Sequence, residues 1–176
     1  MTKFLATQTG QKLAYSFTKG TGPTVVFLGG FKSDMEGSKA IFFEKWAKKR
    51  NRSFLRFDYS GHGQSTGDFL NLGIGDWFND TKQIIELTEN NGLILIGSSM
   101  GGWISLLLSR ELGSRLKGLI TIAAAPDFTE DSMWKNFTED QKKENRIISG
   151  IRILSEHAIC GIKRLKVASD IYRNSI

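Results

Sequence analysis

The sequence predicts an α/β fold, a mostly parallel sheet with helices on both faces. Two observations carry that expectation. Short apolar, β-branched runs alternate with segments of helical periodicity, the pattern left by parallel strands joined through crossover helices. The runs TVVFLGG and LILIG are nearly continuous rather than alternating, as strands covered on both sides must be. Right-handed crossovers are expected throughout.

In order along the chain, FLATQ and KLAYSF read as a short hairpin with Thr9-Gly10 near its turn. TVVFLGG, from Thr24, is a buried strand. GSKAIFFEKWAKKR follows as a helix, with Ser38 as the expected cap. Ile41, Phe42 and Trp46 form its expected buried stripe, with the lysines opposite. SFLRFDY is the next strand. IGDWFNDTKQIIELTEN is a helix burying Ile74, Trp77, Phe78, Ile84 and Ile85 and ending near Asn91-Gly92. LILIG is a strand, MGGWISLLLSREL a largely buried helix, and LKGLITIAAA a strand closed by Pro126. Regularity fades after Phe128. The expected division is a core over 1–128 and a partial cap segment with an irregular tail over 129–176.

Composition narrows the function classes. Hydrophobic residues make up 40% and charged residues 24% of the 176, an ordinary globular balance for one domain with a sizeable core. No apolar run is long enough to span a bilayer. The net charge of +6 is concentrated: nine Lys and Arg face five Asp and Glu from Ser132 onward. No nucleic-acid signature accompanies that excess, so it reads as a solvated basic face. The start MTKFLATQTGQK lacks an apolar signal region, and the single Cys160 suits a reducing compartment. The expectation is a cytoplasmic protein. No Cys/His cluster has metal-ligand spacing.

Chemistry concentrates at Gly97-Ser98-Ser99-Met100-Gly101, a G-x-S-x-G match that follows a strand and opens a helix. Such a turn forces its central residue into a strained conformation. The flanking glycines let the strand and helix backbones close together. Ser99 would then stand at the carboxyl end of the sheet, where α/β proteins place their sites, and Ser99 is the candidate nucleophile. Gly29-Gly30-Phe31 leaves the strand TVVFL at the place from which a second oxyanion amide is donated. The backbone amides of Met100 and Phe31 are the candidate oxyanion hole. In Asp58-Tyr59-Ser60-Gly61-His62-Gly63 the glycines and the Asp read as a tight loop. His62 therefore takes a structural part, and the loop lacks the third glycine of a dinucleotide fingerprint.

Together LGGFKSDMEGSKA, RFDYSGHGQSTGDF and LIGSSMGGWISLLL resemble the α/β-hydrolase superfamily. Within it they resemble the branch of palmitoyl-protein thioesterases and acyl-glucuronide esterases with its bacterial relatives, over roughly residues 10 to 135. The resemblance implies a serine esterase or thioesterase acting on acyl esters or thioesters, with Ser99 as nucleophile and no cofactor. DSMWKNFTEDQKKE resembles the start of that family's cap.

In this family the triad runs Ser, acid, His, and its last two members follow the final strands. No such strands follow here, so the expectation is an α/β-hydrolase fold lacking its last two strands. The expectation is that the usual acid and base are missing and that the chain alone is a truncated, weakly active or inactive product. Asp127 and His157 are substitute acid and base that keep the right order. A complementing C-terminal chain is the alternative partner, because LITIAAA would otherwise be an uncovered apolar edge. A non-catalytic interaction module on the same fold is the competing function.

Overall fold

The computed structural model describes residues 2–88 and 92–126. Lys3–Ala6 (β1) and Lys12–Thr18 (β2) form the antiparallel hairpin, with Lys3 opposite Tyr15. Thr7 and Gly10 close its turn through a Gly10 N–H to Thr7 O bond of 3.1 Å. Thr21–Leu28 (β3), Arg52–Phe57 (β4), Leu93–Ser98 (β5) and Leu116–Ile122 (β6) complete a six-stranded sheet in the order β1-β2-β4-β3-β5-β6. The last four run parallel to their neighbours; β2 meets β4 antiparallel. The sheet is thus mostly parallel, with an antiparallel margin.

β3 begins earlier than the apolar run suggests. Thr21 pairs with Arg52, the register then slips, and regular pairing resumes at Val25. Pro23 lies inside the slip. It has no N–H to give to the ladder, so an irregularity is the only way to keep it in a central strand.

Helices cover both faces, and the pleat sorts the core between them. Val26 and Leu28 join Leu55, Leu95, Trp77 and Trp103 on the side of Ile74–Ile84 (α2) and Met100–Ser109 (α3). Their neighbours Val25 and Phe27 join Phe54, Ile96, Ala40 and Ala47 on the side of Ser38–Lys49 (α1). Consecutive strand residues point to opposite faces, so a strand covered twice must be apolar at every position.

α1 sits differently from expectation. Its N-cap is Gly37, and Ser38 is the first helical residue with no capping bond. The buried face is Ala40, Glu44 and Ala47, with Phe43 and Trp46 packed at its margin. Phe42 is 63% exposed. The charged Glu44 takes the centre because its partner Arg56 reaches it from β4, with an Nη2 to Oε2 distance of 3.2 Å. α2 carries the expected buried Ile74, Trp77 and Ile84, with Ile85 in the 3₁₀ turn that ends it. Phe78 is half-buried, while Asp80 and Thr81 are buried within the same stripe.

Candidate active site at the strand-to-helix turn

β5 passes into α3 through one residue, Ser99, with φ +54° and ψ −118°. A non-glycine residue rarely adopts a positive φ, and holding one there costs on the order of 1–3 kcal/mol. The surroundings impose it. The Ser99 N–H donates to Ile122 O at 3.0 Å, and Ser99 O accepts from Gly102 N at 2.9 Å, Trp103 N at 3.3 Å and Ala125 N at 3.3 Å. Ser98 is buried, whereas Ser99 is only half-buried. The turn thus lifts Ser99 out of the sheet at its carboxyl end. Met100 opens α3, so its N–H has no acceptor within the helix and lies at the positive end of the dipole.

The glycine spacing follows from close approach. A Cβ on Gly97 would run into Gly101 O and lie 2.6 Å from Ser105 Oγ. A Cβ on Gly101 would strike the carbonyl oxygens of Leu28 and Gly29, where α3 presses on the exit of β3. Those obstacles are backbone and cannot rotate away. Gly101→Ala is expected to lower the unfolding free energy by about 3 kcal/mol, the upper range for an overpacked methyl. Urea denaturation measures it, and a loss below about 0.5 kcal/mol would contradict this account of the spacing.

The Gly29-Gly30-Phe31 loop runs alongside Ser99. A Cβ added to Gly30 would stand 3.4 Å from Ser99 Cβ. Tyr59 hydroxyl donates to Gly29 O at 3.3 Å, and Ser33 hydroxyl to Gly30 O at 2.6 Å. Burial, reinforced by the Asp80 charge, raises Tyr59 well above its usual range, so it remains a donor. Phe31 packs against Phe69, Trp77 and His62, with centroid separations of 5.0, 5.9 and 6.4 Å.

The loop after β4 supports this from beneath. Asp58 accepts the Met35 N–H at 2.6 Å on Oδ1 and the Gln64 N–H at 2.8 Å on Oδ2. It thereby joins the end of β4 to the segment leading into α1. Burial holds its carboxyl above the ordinary range, against the pull of those two amides. Gly63, at φ +48°, has no room for a Cβ beside the same carboxylate. His62 is enclosed by Phe31, Tyr59, Phe69 and Trp77, and its Nδ1 meets Ser60 O at 3.2 Å. Burial lowers its pKa, so the ring stays neutral. That surrounding fits a structural part.

Pattern reading passed over Asp80. It lies inside the apolar stripe of α2, 3% exposed, and accepts the Ser60 N–H at 2.8 Å. Ser60 O in turn accepts the Trp77 indole N–H at 3.0 Å. A charged residue interrupting a buried stripe was the available signal. Burial raises Asp80 to about 6. A carboxyl raised in the folded state stabilises below its unfolded pKa, and that contribution is lost as pH rises through the folded value. The window is therefore about pH 4 to 6, and the loss by pH 7 is about 3 kcal/mol. Asp80→Asn keeps an acceptor for Ser60 and is expected to flatten the stability profile across this window. Denaturation at pH 4.5 and pH 7 tests it; an unchanged slope would rule the assignment out.

Of the sequence-predicted site residues, Ser99 and Met100 are consecutive at the turn, and Gly30, the residue before Phe31, lies against Ser99. Asp127 and His157 lie outside the described residues. Among the described residues, no group of three His, Cys, Asp or Glu is arranged to hold a metal ion, and no helix is long and apolar enough to cross a membrane.

Comparison with known proteins identifies relatives that share this fold. A mitochondrial palmitoyl-protein thioesterase, ABHD10 of Rattus norvegicus, is 38% identical over 115 residues, 65% of this chain and 39% of that protein. The chain thus spans about two fifths of the length of such curated relatives. The solved alpha/beta hydrolase domain-containing protein 10 from mouse superposes with a TM-score of 0.71 at 34% identity, covering 81% of this chain and 57% of the other. A hydrolase from Agrobacterium vitis S4 superposes with a TM-score of 0.69 at 32% identity, covering 82% and 60%. The family described as serine aminopeptidase, S33 (Hydrolase_4) matches residues 21–172. The chain belongs to this α/β-hydrolase family.

Proposed function

We propose that this chain carries the nucleophile and oxyanion hole of a serine esterase or thioesterase. The observation that supports it is the strained, half-buried Ser99 between β5 and α3, with the Gly29–Phe31 loop beside it. In the proposed reaction Ser99 Oγ attacks the acyl carbon, and its proton passes to a base. The amides of Met100 and Phe31 receive the tetrahedral oxyanion. The alcohol or thiol leaves with a proton, and water then hydrolyses the acyl-enzyme by the same route. Serine acyl transfer needs no cofactor. Acyl esters and thioesters are the proposed substrates, since the similar rat protein is named a palmitoyl-protein thioesterase. Asp127 and His157 are the proposed acid and base within this chain; a complementing chain is the other source.

The test is a fluorophosphonate ester followed by peptide mass spectrometry. An adduct on Ser99 supports the reading. Folded protein that takes up no probe, or takes it up elsewhere, removes it. That negative result would favour the second reading, a non-catalytic interaction module. One feature supports such a module: β6 stands at the margin of the described sheet with Ile120 50% exposed. An apolar edge strand is a template for pairing with another chain.

A further inference from the structure

The helix start GSKA is a motif to which the site described above gives no task. α1 opens at Ser38 behind Gly37, and no side chain caps it. The N–H groups of its first turn therefore have no partner within the helix or from a capping side chain. They border a cleft of about 200 Å³ whose walls include Gly30, Ser33, Asp34, Ser38, Lys39 and Ser98.

Ser98 is the informative member. Ile96 faces α1 in the core, so Ser98, two residues along the same strand, projects to that face as well. It is 7% exposed and lines the cleft, and no hydrogen bond from its hydroxyl to a described residue competes for it. The hydroxyl opens on the cleft and can donate to an anion held there. Helix dipole, first-turn amides, the Lys39 ammonium and this hydroxyl all favour negative charge. One carboxylate opposes them, Asp34, whose Oδ1 is engaged by the Glu36 N–H at 2.9 Å. Glu36 is itself paired with Arg56 at 2.7 Å. Gly30 forms a wall of the cleft and also lies against Ser99.

We infer that this cleft is an anion subsite beside Ser99, shaped for a carboxylate or phosphate group carried by the ester substrate. The substrate assignment rests on Ser99 being the nucleophile; the anion site does not. The test is an amide NMR titration of the full chain carrying Ser99→Ala, which separates binding from chemistry. The titrants are inorganic phosphate and monomethyl succinate, with sodium chloride at matched ionic strength as reference.

Saturable shifts at Ser38, Lys39 and Ala40 are expected with both titrants. Ser98→Val should weaken both by about tenfold, the usual effect of losing a hydrogen bond to a charged group. Lys39→Gln should weaken them too, and it is an exposed change that leaves folding intact. Shifts that merely follow chloride, or affinities that neither variant changes, would overturn the site. Saturation by phosphate alone would overturn the substrate-borne assignment. A missing phosphonate adduct on Ser99, by contrast, would remove the nucleophile while leaving this titration unaffected.

Discussion

Ser99→Ala is expected to abolish hydrolysis of a p-nitrophenyl acyl ester, with a fall in kcat of about a millionfold where a complete triad operates. The size of that effect follows from the division of labour in serine hydrolases. The oxyanion amides and substrate binding survive the substitution and retain on the order of 10³–10⁴-fold over water. Everything beyond that requires a covalent acyl-enzyme, which alanine cannot form. The turn itself should persist, because its hydrogen bonds run through Ser99 N and O. Folding and activity are therefore separable by comparing circular dichroism with rate. A variant that keeps a tenth of the parent rate would disprove the assignment. His157→Ala in the same assay locates the base. An equal loss places it in this chain, and an unchanged rate places it on a complementing chain.

Glu44→Ala should be the most damaging single change to stability, at about 3–5 kcal/mol, the range for stripping one partner from a buried ion pair. The Arg56 guanidinium divides its fork. Nε and Nη2 both meet Glu44 Oε2 at 3.2 Å, while Nη1 bonds Met35 O at 2.8 Å and Glu36 Oε1 at 2.7 Å. Both Arg56 and Glu44 are buried. Removing the carboxylate leaves half of the fork desolvated and unpaired. Thr18 hydroxyl, 3.0 Å from Glu44 Oε1, loses its acceptor too.

Burial alone would raise Glu44. The Thr18 hydroxyl, the Arg56 charge and Lys48 outweigh it and hold the carboxyl below its ordinary value. A depressed carboxyl stabilises above its unfolded pKa, and that contribution is lost as pH falls through the folded one. The penalty of Glu44→Ala should accordingly shrink in acid, below the model-peptide range near pH 4. Replacing both partners, Glu44→Leu with Arg56→Met, is expected to recover most of the loss. Urea denaturation of the three proteins measures all of this. A single-variant loss under about 1 kcal/mol would show that the pair is spectator chemistry.

Local patterns proved more legible than distant ones. The strand runs, the hairpin and the Ser99 turn are each encoded within about ten residues by apolar continuity or glycine spacing, and the structure contains them all. The face of α1 was misjudged because its rotation is set by Arg56, which lies on a different element. An apolar stripe through Ile41, Phe42 and Trp46 satisfies helical periodicity, yet a salt bridge between helix and strand is invisible to periodicity. Asp80 was missed for the related reason that its partner, the Ser60 N–H, belongs to the loop after β4. Ser98 is the less favoured serine of the motif because the glycine spacing centres on Ser99, and the pleat turns it toward α1. Met100 and Phe31 can be proposed from the sequence because amide donors depend on backbone position rather than side-chain identity.

The backbone at residue 99 would be more comfortable under glycine, the one amino acid for which φ +54° carries no steric charge. Ser99→Gly would relax the bend and silence any chemistry there in a single step. Stability alone gives no reason to keep a hydroxyl at so strained a position. On the function proposed above, that hydroxyl is kept for its chemistry at the expense of robustness.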